Sequence, residues 1–135
     1  MDRKLGGWLC NICYVSYLAA ASVWPALCDS KHCMEKLART ATALGLTAAI
    51  VQALKQTVPE RRPDSGQRGS FPSGHSANTM VLAALCSAEH AGPAAAWFLP
   101  AAGISLARIV LRRHHVRDVV IGSLIGLLVD RAVSW

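Results

Sequence analysis

The sequence predicts an all-α protein, a polytopic membrane bundle of about five transmembrane helices, and three observations predict it. Hydrophobic residues fill 53% of the 135 positions and charged residues only 16%, with a mean hydropathy of +0.32, a balance on the membrane side of the soluble average. Five apolar stretches follow one another along the chain, each readable as a membrane helix. The unusual polar residues fall almost entirely in two of the connections. A chain of this length fits one domain, read as residues 1–135, and is too short for two ordinary ones.

The first stretch, residues 5–27, carries no charge and exceeds the ~20 residues a bilayer requires. Arg3 and Lys4 ahead of it resemble the start of a signal peptide. The apolar run is longer than a signal core, however, and Pro25-Ala26-Leu27 offers no small-x-small cleavage pattern, so the segment is expected to be retained. The second stretch, residues 37–54, has Arg39 near its start, where the side chain is expected to snorkel, and ends at Lys55. The segment 56–71 is polar, basic and punctuated by proline and glycine. It cannot be buried in lipid and is expected as a loop or short surface elements.

The third helix is expected to begin around Ser73 or His75 and to reach about Glu89, followed by a tight turn at Gly92-Pro93. The fourth runs from Ala94 to about Leu111 with Pro100 inside it, tolerated in a membrane helix and expected to kink it. The fifth, residues 116–133, carries Gly122 and Gly126 four apart, the spacing that lets two helices approach closely. Counting spans places the loop after the second helix and the loop after the fourth on one side of the membrane, where they can share a site.

The formal net charge of +6 is compatible with nucleic acid, an anionic membrane surface or a phosphorylated substrate. Because the basic residues cluster in loops beside apolar helices, a membrane and a phosphorylated lipid are expected as partners, and nucleic acid is not. Five cysteines, an odd number, argue against a disulfide framework. Cys10 and Cys13 have the spacing of a metal knuckle but lie in an apolar run without a second ligand pair, and are read as helix-packing residues. Cys28 and Cys33 flank a short polar stretch, where a local disulfide requires an oxidising compartment.

Three constellations carry chemistry. Lys55 is followed after six residues by Arg62-Pro63; alone, this reads as an interfacial anchor. Pro72-Ser73-Gly74-His75 precedes an apolar helix. Ser73 there is a natural N-cap, and the same turn, with backbone amides and a hydroxyl, suits an anionic oxygen faced by His75. Arg108 is followed by His114 and Asp118. If that piece is helical, His114 and Asp118 are four apart on one face, so the carboxylate can hold one imidazole nitrogen and leave the other free. Arg112, Arg113, His115 and Arg117 read as an interfacial basic cluster. Arg108 differs, because it lies within an apolar stretch where a charge is costly unless paired or functional.

In order and spacing, Lys55 with Arg62-Pro63, Pro72-Ser73-Gly74-His75, and Arg108 with His114 and Asp118 together resemble the three-part signature of the phosphatidic acid phosphatase type 2 superfamily, which includes vanadium haloperoxidases. The motifs span residues 55–118, roughly half the chain. The resemblance implies that His114 attacks phosphorus with Asp118 orienting it, and that His75 protonates the leaving oxygen. It further implies that Lys55, Arg62, Ser73, Gly74 and Arg108 hold the phosphoryl oxygens, with no metal and no cofactor. Phosphoryl transfer of this kind rests on an aligned nucleophile and clustered positive charge.

Ala107 stands where the family often has serine, removing one hydrogen bond to phosphate. Family members also commonly carry a further helix ahead of the first motif, so one N-terminal helix is expected to be missing here. The implied substrates are undecaprenyl pyrophosphate, phosphatidylglycerol phosphate, phosphatidic acid or lipid A phosphates, in a bacterial inner membrane with the site on the periplasmic face. Arg3 and Lys4 favour the opposite orientation. The competing readings are a catalytically silent headgroup- or helix-binding protein and a vanadate-dependent haloperoxidase.

Overall fold

The computed structural model describes residues 3–28, 30–89 and 92–134. Five α-helices follow in order: α1 (Arg3–Cys28), α2 (Cys33–Thr57), α3 (Gly74–Ala88), α4 (Ala94–Val110) and α5 (Val116–Ala132), with a short 3-10 turn, Ser30–His32, before α2. No extended strand occurs among the described residues; Arg61 and Arg68 form one isolated antiparallel bridge in the α2–α3 connection. The five expected helices are therefore present, with α2 extended at both ends, so that Lys55 lies inside its last turn rather than beyond it.

The central helix is α3, which packs against all four others. Its residues Ala77, Val81, Leu82, Ala83, Leu85 and Cys86 are buried on successive faces, as a helix apolar all round requires. The closest approach is to α5. A Cβ at Gly126 would overlap the Ala77 carbonyl oxygen and lie 2.8 Å from Val81 N, and one at Gly122 would overlap the Ser73 carbonyl oxygen. The Gly-xxx-Gly face thus does what its spacing predicted: it brings two backbones into direct contact. Helix α1 is fastened by the Tyr17 hydroxyl, 3.0 Å from the Trp97 carbonyl and 3.3 Å from that of Thr79.

The outer surface is apolar: Trp8, Ile12, Leu99, Leu106, Val110, Leu124 and Leu128 are exposed. So many exposed large apolar side chains suit lipid rather than water. Helix α2 is long and apolar enough to cross a membrane; α3, α4 and α5, at 15, 17 and 17 residues, reach roughly 22–26 Å of a hydrocarbon core of about 30 Å. Pro100 stays within α4.

Two expectations change. Arg39 does not snorkel freely: it donates to Glu89 at 2.9 Å and to Ser134 at 3.0 Å, and Lys36 meets Glu89 at 3.0 Å. A partly buried guanidinium within reach of carboxylates on neighbouring helices is held there rather than extended to water. Cys10 is buried in the core as expected, whereas Cys13 is exposed, and both carry free thiols. The Cys28 side chain, and with it the local bridge to Cys33, lies outside the described residues.

Candidate active site

The α2–α3 connection and the α4–α5 loop meet at one end of the bundle, where one backbone bond and several side-chain contacts lock them together. Ser73 N donates to Asp118 O at 2.9 Å, joining the second motif to the third. His115 Nε2 lies 3.2 Å from Arg61 O, Arg113 pairs with Asp64 at 3.1 Å, and Arg117 pairs with Glu60. The basic cluster read as an interfacial anchor therefore includes three residues, Arg113, His115 and Arg117, that cross-link the two loops. Their partners sit about 50 residues away in sequence, a pairing that only the tertiary fold creates. Gly66 and Gly69 take φ values of 66° and 86°, left-handed conformations open to glycine without strain, and let the connection fold back onto Arg62.

His114 occupies the short loop between α4 and α5 and is 3% exposed. Its Nδ1 lies 2.8 Å from the Ser70 carbonyl oxygen. A carbonyl can only accept, so Nδ1 carries the proton and Nε2 keeps its lone pair. The expected direct bond to Asp118 is absent, since the Nδ1–Oδ2 distance is 3.7 Å. Asp118 Oδ2 instead accepts from the Ser70 hydroxyl and, at 3.0 Å, from the backbone N–H of His115. The carboxylate is tied up because Asp118 is the third residue of α5 and closes a capping box with His115, leaving Ser70 to orient the imidazole. Ser70 thus joins the candidate site through its bonds to His114 and Asp118, and the motifs did not reveal it. Its one sequence signal is its place immediately before Phe71-Pro72 and the second motif.

Burial first and the charge of Arg108 second pull the His114 pKa down to about 4, against the opposing pull of the Ser70 carbonyl and the Asp118 carboxylate. The ring is therefore neutral near pH 7, with Nε2 free to act as a nucleophile.

The other motif residues converge on it. His75 lies close enough to feel the charges of Arg108, His114, Lys55 and Arg62, and His114 those of Arg108 and Lys55. Lys55 Nζ donates to Gly69 O at 2.8 Å. Arg108, buried at 5% exposure, meets Asn11 Oδ1 at 3.3 Å and Cys10 Sγ at 3.9 Å. The Nε atoms of Arg62 and Arg108 are buried with no hydrogen-bond partner among the described residues. Unpaired buried donors are costly unless an anion meets them, and two guanidinium groups with that need beside one imidazole form an anion site.

Ser73 caps α3, and its Oγ accepts from Ser76 N at 3.4 Å and from the Ser76 hydroxyl at 3.0 Å. Both readings of Ser73 are therefore compatible, because its own O–H remains a donor. Gly74 opens α3 with its amide at the helix N-terminus, where a phosphate oxygen is favoured. His75 stands on the first turn, its ring stacked on Tyr14 with centroids 4.0 Å apart. All eight residues of the expected site are thus at one end of the bundle. Three side chains of α1, Cys10, Asn11 and Tyr14, touch it as well. Nothing in their spacing could have announced them, since α1 carries no motif. Among the described residues no cluster of His, Cys, Asp or Glu has the makings of a metal site.

A search of curated proteins finds a lipid A 1-phosphatase of Porphyromonas gingivalis, 33% identical over an alignment of 112 residues that covers 78% of this chain. The match spans about a quarter of that relative, 25% of its length. The crystal structure of Aquifex aeolicus LpxE superposes with a TM-score of 0.70 at 24% identity, covering 93% of this chain and 85% of that one, and so shares the fold. A profile of the PAP2 superfamily matches residues 36–135, a range that takes in all three motifs. The chain belongs to the PAP2 superfamily.

Proposed function

We propose that residues 1–135 form a single membrane-embedded phosphatase domain that hydrolyses a phosphomonoester or pyrophosphate of a lipid through a phosphohistidine on His114. The observation that carries this is the neutral, buried imidazole of His114, its Nδ1 fixed on Ser70 O and its Nε2 free, in a site where Arg108 acts on both His114 and His75 and Arg62 acts on His75, each guanidinium with an unpaired Nε. In the first step Nε2 forms a bond to phosphorus while the bond from phosphorus to the lipid oxygen breaks, and that oxygen takes a proton from His75. A bound phosphate dianion favours the protonated His75 ring. In the second, water attacks phosphorus and yields a proton to His75 as the N–P bond breaks. Arg62, Arg108, Lys55, the Ser73 hydroxyl and the Gly74 amide hold the equatorial oxygens, where charge accumulates. Asp118 supports the imidazolium that develops on His114, acting across 3.7 Å and through Ser70.

This assignment needs neither a metal ion nor a cofactor. The apolar flanks of the bundle let the lipid chain stay in the bilayer while the headgroup meets the cations. The name of the Porphyromonas relative makes a lipid A phosphate the first substrate to test, with undecaprenyl pyrophosphate, phosphatidylglycerol phosphate and phosphatidic acid beside it. We place the protein in a bacterial inner membrane with the site on the periplasmic face. The experiment is a substrate panel on purified protein in detergent, with a chelator present, for wild type and His114→Ala. Phosphate release by wild type that the chelator leaves intact and the substitution abolishes supports the proposal. Release unchanged in His114→Ala would end it.

A further inference from the structure

Helix α1 lies wholly outside the segment that the family profile matches, yet it reaches the leaving-group side of the site. The ring of Tyr14 lies on the imidazole of His75, centroids 4.0 Å apart and planes at 35°. The Tyr14 hydroxyl accepts a hydrogen bond from Asn78 Nδ2 at 2.9 Å. Asn78 follows His75 by three residues on α3, so both side chains share one face of that helix. The imidazole, the ring over it and the amide that pins the ring form a closed unit.

We propose that Tyr14 is a positioning residue for His75, one that sets the direction in which the imidazole delivers its proton to the leaving oxygen. This rests on the phosphatase reading, in which His75 is the leaving-group acid. The torsion that turns an imidazole about its Cβ–Cγ bond has a broad, shallow preference, so a ring wall is an effective way to fix the direction of a nitrogen. Docking of α1 does not depend on Tyr14: Tyr17 already ties α1 to α3 and α4, and the Cys86 thiol donates to Ala21 O at 3.2 Å.

The test compares two substrates sharing one lipid chain: an alkyl phosphate, whose departing oxygen needs a proton, and a nitrophenyl phosphate, whose departing oxygen does not. Tyr14→Leu keeps apolar volume and removes the ring. It is expected to lower kcat/KM, which reads phosphorylation of His114 and not the later hydrolysis, about ten-fold on the alkyl phosphate and less than about two-fold on the nitrophenyl phosphate, within the 10²–10⁴-fold that a general acid contributes. Added to His75→Ala, it is expected to cause no further loss on either substrate. Tyr14→Phe keeps the ring and loses the Asn78 bond, so it shows the same selectivity with a smaller loss; it carries the test if Tyr14→Leu does not fold. Equal losses on both substrates, or a further loss in the His75→Ala background, overturn the proposal while leaving the phosphatase reading intact. Wild-type protein that releases phosphate from neither substrate overturns both.

Discussion

Replacing Gly122 with alanine tests how the fold builds the phosphate-binding turn. The added Cβ would overlap the Ser73 carbonyl oxygen and lie 3.2 Å from its carbon and 3.3 Å from Ser73 N. The obstruction is backbone, so no flexible side chain can swing aside. Carbon contacts settle at about 3.5–4.0 Å, so α5 must withdraw from α3 by about 1 Å. Overpacking of this kind costs about 1–3 kcal/mol. The displacement falls on the residue whose N–H holds Asp118 O at 2.9 Å, and so separates the second motif from the third. A misplacement of about 1 Å at reacting groups costs on the order of 100-fold in rate. Gly122→Ala is therefore expected to lower Tm and to cut kcat/KM about 100-fold, read by phosphate release and thermal melting in detergent. Gly45 in α2 is the control, because a Cβ there meets nothing within 4 Å; Gly45→Ala is expected to keep full activity and gain roughly 0.5–1 kcal/mol. A Gly122→Ala protein with wild-type rate and stability would refute the claim that this contact sets the turn.

Three further outcomes are expected. The His114 pKa lies near 4, so the nucleophile is lost as pH falls through that value and kcat/KM acquires an acid limb there; Arg108→Leu removes a charge that lowers the pKa and moves the limb upward, whereas an unmoved limb would contradict the coupling. Ser70→Ala keeps the carbonyl that holds His114 and removes the hydroxyl bonded to Asp118, so a loss of no more than about ten-fold is expected, within the roughly 1.4 kcal/mol that corresponds to it, against a far larger loss for Asp118→Ala, which also strips the cap of α5. Cys33 and Lys55 occupy opposite ends of α2, about 33 Å apart, so in intact cells an impermeant thiol reagent is expected to spare a protein whose single cysteine is Cys33; strong labelling would place the site on the cytoplasmic face.

Much of this molecule is legible in its sequence because the features that matter are local. Apolar runs give the five helices, and Gly122 with Gly126 gives the closest helix pair, since both depend on spacing along one element. The eight candidate site residues are readable as three patterns beside helix ends that together resemble one family signature. What escaped depends on partners distant in sequence. Asp118 and His114 are four apart, which predicts a bond, but the capping geometry of α5 turns the carboxylate toward Ser70 and His115 N. Arg113, His115 and Arg117 read as lipid anchors until residues 60–64 are folded against them. Tyr14 and Asn11 are ordinary residues of a charge-free apolar run, and only packing of α1 against α3 and α4 gives them a place at the site.

The central claim is that the imidazole of His114 takes the phosphoryl group. It is tested most directly by rapid quenching of a single turnover with radiolabelled lipid phosphate, followed by mapping of the labelled peptide. The account predicts an acid-labile, base-stable phosphoryl group on His114 that forms and decays at catalytically competent rates and is absent from His114→Ala. Label on another side chain, or turnover by wild type with no labelled protein at any time, would contradict it.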